Sequence, residues 1–441
     1  MKRLLAVLCA ALFLLPACAA PAELPAPQRT PMLSLPPAKT PAPEQTPEPA
    51  IAPQFTVSEA LVMEVYTRLC APEFEGRFAG TQGNERAAEY LAGLLAEYGY
   101  APLFGDSMLV PYTAPMGDPG ALEAEVELLL PDGSAHTLAL GVDCAFALPW
   151  EDVSLTRPIT SDAAEAAGGN AFLFAEEFAR GAACAIVQCE PLNIRKHVRR
   201  EDSSSGFCLY ITPEAGALCQ TPGVRLRVSA KAAAWEGTAH NVVAVLPGAD
   251  RSKAMVLGAH FDGTGTWGGV LCPSALDNAS GTAALIGAAS ALAEQALPFD
   301  LVFVLFNSEE NSLRGSEALA GQLLAQYEAL NLVNLDCLGY AGDAPLSFCF
   351  QTKDSALATA IWPYLQHVGY PSYWIDAFVS SDHISFHASG IPAVTLSDST
   401  DASGLYHTPQ DVPELLDAGR IAAVAAGVAT FLAQQAVPLA P

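Results

Sequence analysis

The stretch Met255–Ile286 reads MVLGAHFDGTGTWGGVLCPSALDNASGTAALI. It opens as an apolar run of buried-strand type, ends that run on His260-x-Asp262, passes through a Gly-rich loop, and places Asp277 where the next helix begins. Two side chains able to hold a metal, His260 and Asp277, thus stand at the end of a strand and at the start of a helix. In open α/β sheets the rim beyond the carboxyl ends of the strands is where chemistry is built.

Downstream, short apolar runs recur at Val242–Leu246, Met255–Ala259, Leu301–Phe306, Leu332–Leu335, Ser347–Phe350 and Val394–Leu396. Helical periodicity fills Gly281–Glu294, Ser316–Leu330, Ser355–Val368 and Val412–Leu432. Alternating strand and helix predicts an α/β fold, a mostly parallel or mixed central sheet flanked by helices. Upstream, Thr56–Tyr100 is helical in pattern, with Leu61, Val65 and Leu69 in one segment and Ala87, Leu91, Leu94 and Leu95 in the next. Residues 118–230 change character to short alternating runs such as Glu123–Leu130, Ala171–Phe174, Ala185–Val187 and Val224–Val228. They read as a β-rich module inserted into the main domain, which takes 55–117 and 231–441.

The N-terminus carries Lys2 and Arg3, then the apolar run Leu4–Leu15, the length of a signal-peptide core and too short to span a bilayer. Leu15-Pro16-Ala17-Cys18 resembles a bacterial lipobox, with Cys18 as the lipid-modified residue; ordinary secretory cleavage just beyond is the competing reading. Residues 19–54 are Pro-rich and poor in large apolar side chains, so they predict an extended tether. Signal, lipid anchor and tether together predict an extracytoplasmic protein, secreted or held to a membrane only through Cys18.

With 441 residues, 51% of them hydrophobic, the chain can bury sizeable cores. A formal charge of −26, from 47 acidic and 21 basic residues, opposes nucleic acid as a partner. Of the 11 cysteines, Cys9 and Cys18 fall in the signal region and the other nine are scattered singly. The expectation is buried free thiols, with Cys184–Cys189 the one pairing considered. Oligomeric state is not legible.

Five polar positions follow strand ends or sit at loop tips: His260, Asp277, Glu309-Glu310, Asp336 and His407. Each alone has an ordinary reading, Asp277 for example as a helix N-cap. Together they supply a two-metal hydrolytic site. Two zinc ions about 3.5–4 Å apart repel, and a carboxylate between them neutralises both in part. With Asp277 as the bridge, two His and two further carboxylates give each ion one nitrogen and one oxygen besides. One acid of the Glu309-Glu310 pair remains free as a general base.

These residues resemble the co-catalytic zinc aminopeptidases of the bacterial leucyl-aminopeptidase type, a clan that includes glutamate carboxypeptidase-like enzymes and glutaminyl cyclases. The resemblance runs from about Leu69 to the C-terminus. It rests on Pro72-Glu73-Phe74-Glu75-Gly76-Arg77 with Gly80-Thr81-x-Gly83-Asn84, Asn241-Val242-Val243 with Pro247-Gly248, and His260-x-Asp262. It continues through Asp277-Asn278-Ala279-Ser280-Gly281, Glu309-Glu310-x-x-Leu313-x-Gly315-Ser316, Asn334-Leu335-Asp336, Ser381-Asp382-His383 with Gly390-Ile391-Pro392, and Tyr406-His407-Thr408-Pro409-x-Asp411.

The resemblance implies two Zn2+ per chain and peptide substrates, with His260 and Asp336 on one zinc, Glu310 and His407 on the other, and Asp277 bridging. It implies Glu309 as the general base, Asp262 as the residue orienting His260, a cis peptide at Asp277-Asn278, and Asp382-His383 as a supporting pair. The inserted module is similar to a protease-associated domain. Departures are Ser312, where the family usually has Gly, and the loop Gly263–Ala275, which carries Trp267 and Cys272. Function is therefore expected to be that of a di-zinc exopeptidase releasing N-terminal residues. A glutaminyl cyclase-like acyltransferase and a catalytically silent receptor-like binding protein are the alternatives.

Overall fold

In the computed structural model the described residues are 39–41, 50–166, 169–175, 184–192, 194, 207–342, 344–350, 356–368, 372–376, 380–398, 404–435 and 438. The signal and lipobox residues lie outside them.

The main domain is built on a ten-stranded mixed sheet. The strand Asp250–His260 runs parallel between Phe299–Phe306 and Ala329–Leu335, and Ala329–Leu335 runs parallel to Ala393–Asp398. Antiparallel strands flank this parallel heart: Ala234–Leu246 on one side, Leu346–Phe350 on the other. All eight residues of Phe299–Phe306 are buried. Side-chain alternation divides the core: Leu301, Phe303 and Leu305 pack on one face, Val302, Val304 and Phe306 on the other. The first face is covered by helices Glu59–Leu69, Gln82–Glu97, Ser280–Leu292, Ala356–Leu365 and Ala418–Gln434, the second by Arg314–Gln326 and His383–Ala388.

Several element bounds differ from the sequence reading, each for a local reason. The helix expected over Ser316–Leu330 ends at Gln326, because Ala329–Leu335 is already paired with the central strand. The helix expected from Val412 starts at Ala418, after a short turn at Pro413–Leu415, and Asp417 caps it by accepting from the Arg420 amide. Leu109–Gly117 is a strand that the sequence hid behind Pro111 and Pro115. It pairs with Ala234–Leu246 at the border of the sheet, where a missing N–H is tolerated. Within the Pro-rich segment, Lys39–Pro41 pairs antiparallel with Ser372–Asp376. The Ile51 amide donates to Pro363 O and the Gln54 amide to Thr430 Oγ1, so this part of the chain is bound to the domain rather than extended away from it.

A second, eight-stranded sheet comprises strands that all lie between Ala124 and Ala230. Its core includes Val126, Phe146, Phe172, Ile186, Leu209 and Leu226. Residues 176–183, part of the helix-to-strand passage likened to a protease-associated domain, lie outside the described residues. All nine cysteines from Cys70 onward are free thiols. A Cys184–Cys189 bridge is ruled out by extended backbone, which separates residues five apart by roughly 16 Å, against less than ~7 Å for a disulfide.

At the end of Ala393–Asp398, buried Asp398 lies 3.6 Å from Arg420, whose guanidinium also donates to the carbonyls of Tyr340, Gly342 and Ala344. Burial pushes the Asp398 carboxyl up to about 6, against the opposing pull of Arg420. The folded chain thus holds this proton more tightly than the unfolded chain, and the group's contribution to stability falls as pH rises from about 4 to 6. In Asp398→Asn that loss disappears. Urea unfolding should show the variant gaining on the parent by ~2 kcal/mol between pH 4 and 7, at about 1.36 kcal/mol per pKa unit.

Candidate metal centre

His260 is the last residue of the central strand, and its carbonyl accepts from Thr282 Oγ1, which ties the strand end to the helix Ser280–Leu292. Its Nε2 lies 3.2 Å from Asp277 Oδ1 and 3.5 Å from Asp336 Oδ1. The other oxygen of Asp277, Oδ2, lies 2.8 Å from His407 Nε2, which is 3.6 Å from Glu310 Oε2. Two donor groups result, His260–Asp277–Asp336 and Asp277–Glu310–His407. Within each, the donor atoms lie within 4.8 Å of one another. Asp277 belongs to both and turns one oxygen toward each.

The donor chemistry fits metal ions. Each group offers one imidazole nitrogen and carboxylate oxygens, the set zinc takes. Asp336 Oδ1 is buried without a hydrogen-bond partner, and a bare carboxylate oxygen there costs free energy unless a cation meets it. Burial pulls the His260 ring toward neutrality. The charge of Asp336 and the carboxylates of Asp262, Asp277 and Asp336 set close around the ring nitrogens overcome it and raise its pKa well above the usual value. The pocket as built demands positive charge.

Around these donors the chain supplies rigid supports. Asp262 Oδ1 lies 3.5 Å from His260 Nδ1, and its two oxygens accept from the amides of Glu309 and Glu310, both at 3.1 Å. One carboxylate therefore fixes a ring and the backbone of both glutamates. Asp411, quoted in the sequence pattern without a role, accepts from the amides of Leu276 (2.7 Å) and Asp277 (3.1 Å). Asn278, not Asp277, reaches the first turn of the following helix: its Oδ1 accepts from the Gly281 amide and from Cys337 N, and its Nδ2 donates to Leu335 O. The cap reading of Asp277 is thus replaced, and its neighbour joins it to the Asp336 strand. The Asp277-Asn278 peptide is cis. Asp336 Oδ2 accepts from Ser381 Oγ, which in turn accepts from Asn334 Nδ2.

The motifs Pro72–Arg77 and Gly80–Asn84 hold this site together. Arg77, fully buried, donates to four carbonyls: Phe261 (2.7 Å), Leu69 (2.6 Å), Pro273 (3.0 Å) and Ser274 (2.8 Å). It clasps both ends of the loop between His260 and Asp277. Asn84 exchanges side-chain hydrogen bonds with Asn307, whose amide donates to Asn241 Oδ1, so three asparagines lock the turn into Glu309-Glu310. No periodicity signals such roles; only the spatial neighbours reveal them. Arg77→Met removes a hydrogen bond from each of four carbonyls, of which Ser274 O keeps the Ala279 amide, and should lower unfolding stability in urea by about 3–5 kcal/mol. Arg77→Lys should recover only part of it, having no planar fork of donors.

Ser312 adopts φ +74° and Leu313 φ +61°. The left-handed turn at Ser312 accounts for Gly being the usual residue there. Asp382 and His383 are buried beside the site but belong to neither donor group. The His383 ring is 2.8 Å from Thr395 Oγ1, and burial, with His387 nearby, holds its pKa down to about 3, so it is neutral. Trp267 and Cys272 are fully buried in a cluster with Phe78, Ala145, Leu148, Ile194 and Ala234. These family departures face the second sheet's module.

Residues 241–432 match the description Peptidase family M28. The matched segment contains all seven predicted site residues: His260, Asp262, Asp277, Glu309, Glu310, Asp336 and His407. The chain is 26% identical over 173 residues to Aminopeptidase YwaD of Bacillus subtilis (strain 168), a match spanning 37% of this chain and 37% of that relative's length. Its fold is shared with BSAP, a zinc aminopeptidase from Bacillus subtilis, at a TM-score of 0.67 and 19% identity over 87% of this chain and 97% of that one. The aminopeptidase from Aneurinibacillus sp. strain AM-1 is similar at a TM-score of 0.62 and 20% identity, covering 87% and 95%. The matched segment thus carries the two donor groups on a fold shared with these two structures.

Proposed function

We propose that the protein is a zinc-dependent exopeptidase, an aminopeptidase that binds two Zn2+ and releases N-terminal residues from peptides outside the cytoplasm. One observation carries the reading: Asp277 turns one carboxylate oxygen toward His260 and the other toward His407. His260 and Asp336 would hold one ion, Glu310 and His407 the second, with Asp277 shared. When bound, the pair supplies Lewis-acid polarisation of the scissile carbonyl and acidifies a water molecule.

The remaining chemistry belongs to side chains. Glu309 takes the proton from the attacking water and delivers it to the leaving amine. Asp262 keeps Glu309 in register by holding its amide and its neighbour's, and keeps His260 in one ring orientation. Asp411 does the same for the backbone at Asp277. The N-terminal basic and apolar run, with Cys18 in a lipobox-like setting, supports export and a lipid anchor, and the second-sheet module is read as protease-associated-like.

Chromogenic aminoacyl substrates with free or blocked amino groups test this reading, each assayed with and without chelator. Hydrolysis of the free-amine series, abolished by chelator and restored by zinc, is expected. Turnover of blocked substrates alone would overturn the aminopeptidase assignment.

A further inference from the structure

The loop carrying His407 is held by the inserted module. The Ile194 amide donates to the His407 carbonyl at 2.7 Å. Ile194 itself is fully buried, in the cluster that contains Trp267 and Cys272 of the loop between His260 and Asp277. Backbone meets backbone alongside: a Cβ on Gly141 would lie 2.3 Å from Trp267 O, and one on Gly268 2.1 Å from Leu140 O. The module therefore grips both loops that frame the second donor group. His407 needs such a grip, because it adopts φ +61°, a left-handed backbone that costs a residue with a Cβ roughly 1–2 kcal/mol. Its Nε2 must at the same time reach Asp277 and Glu310.

We infer that the inserted module is a working part of the metal centre, with Ile194 as a positioning residue that sets zinc affinity at the Glu310–His407 position through the His407 carbonyl. The inference rests on the two-zinc reading. The His260–Asp336 position hangs on the central sheet and shares with the His407 position only Asp277.

The test is stepwise zinc removal from the full chain by a chromogenic chelator. Ile194→Pro deletes the donating N–H and should weaken one zinc 10–100-fold, the usual effect of losing a support behind a ligand. The other zinc should stay within about threefold, on the same scale. His407→Ala identifies the affected position, since it should remove the same ion. Ile194→Val keeps the N–H and should leave both affinities near the parent. Gly141→Ala, which wedges the module away from Trp267, should repeat the selective weakening and decides the matter if Ile194→Pro fails to fold by circular dichroism. Unchanged affinities in Ile194→Pro and Gly141→Ala, or equal loss at both positions, overturn the inference. If the parent chain itself takes fewer than two zinc ions, the two-zinc reading has failed and the inference falls with it.

Discussion

Glu309→Gln should retain both zinc ions and fold normally, yet turn over peptide substrates about 10³-fold more slowly, the range that positioned acid–base catalysis contributes. The amide keeps the size and the backbone position fixed by Asp262, so the loss isolates proton transfer. It should fall on kcat, with KM little changed, because the group acts on the proton in flight rather than on bound substrate. Steady-state kinetics with zinc content measured on the same sample decide it. A variant with near-parental kcat would remove Glu309 from the mechanism.

Asp277→Ala should be the most damaging single change to the metal centre. It takes an oxygen from each donor group at once and leaves His260 and His407 without the carboxylate between them. Zinc content by elemental analysis should fall from two per chain to one or none, and activity by more than ~10³-fold, with excess zinc giving little recovery. His407→Ala, by contrast, empties one group and leaves the other's donors in place. A fully loaded Asp277→Ala protein would show that the carboxylate is not shared.

The parallel heart of the sheet was legible because its strands are buried on both faces and read as unbroken apolar runs, Phe299–Phe306 above all. The seven candidate residues stood out because each follows such a run or opens a loop, and the family resemblance suggested their roles; the structure brings His260, Asp277, Glu310, Asp336 and His407 together. What escaped were contacts between segments far apart in sequence. Arg77 binds carbonyls 184 to 197 residues away, and nothing in Pro72–Arg77 announces those partners. Asp411 was visible as a letter in a pattern, and its hold on the Asp277 amide only in space. Trp267 and Cys272 stood out as departures from a family; their reason is the neighbouring module they pack against. The strand Leu109–Gly117 was obscured by its prolines, whose cost vanishes at a sheet border.

The clasp of Asp411 on Leu276 and Asp277 also sets a timetable. A ribosome makes this chain from one end, and the anchor of the shared carboxylate, Asp411, lies 134 residues beyond Asp277. Until Asp411 and His407 have been made, Asp277 has neither its backbone brace nor the imidazole opposite. The donor groups thus depend on long-range closure, which a folding chain makes late.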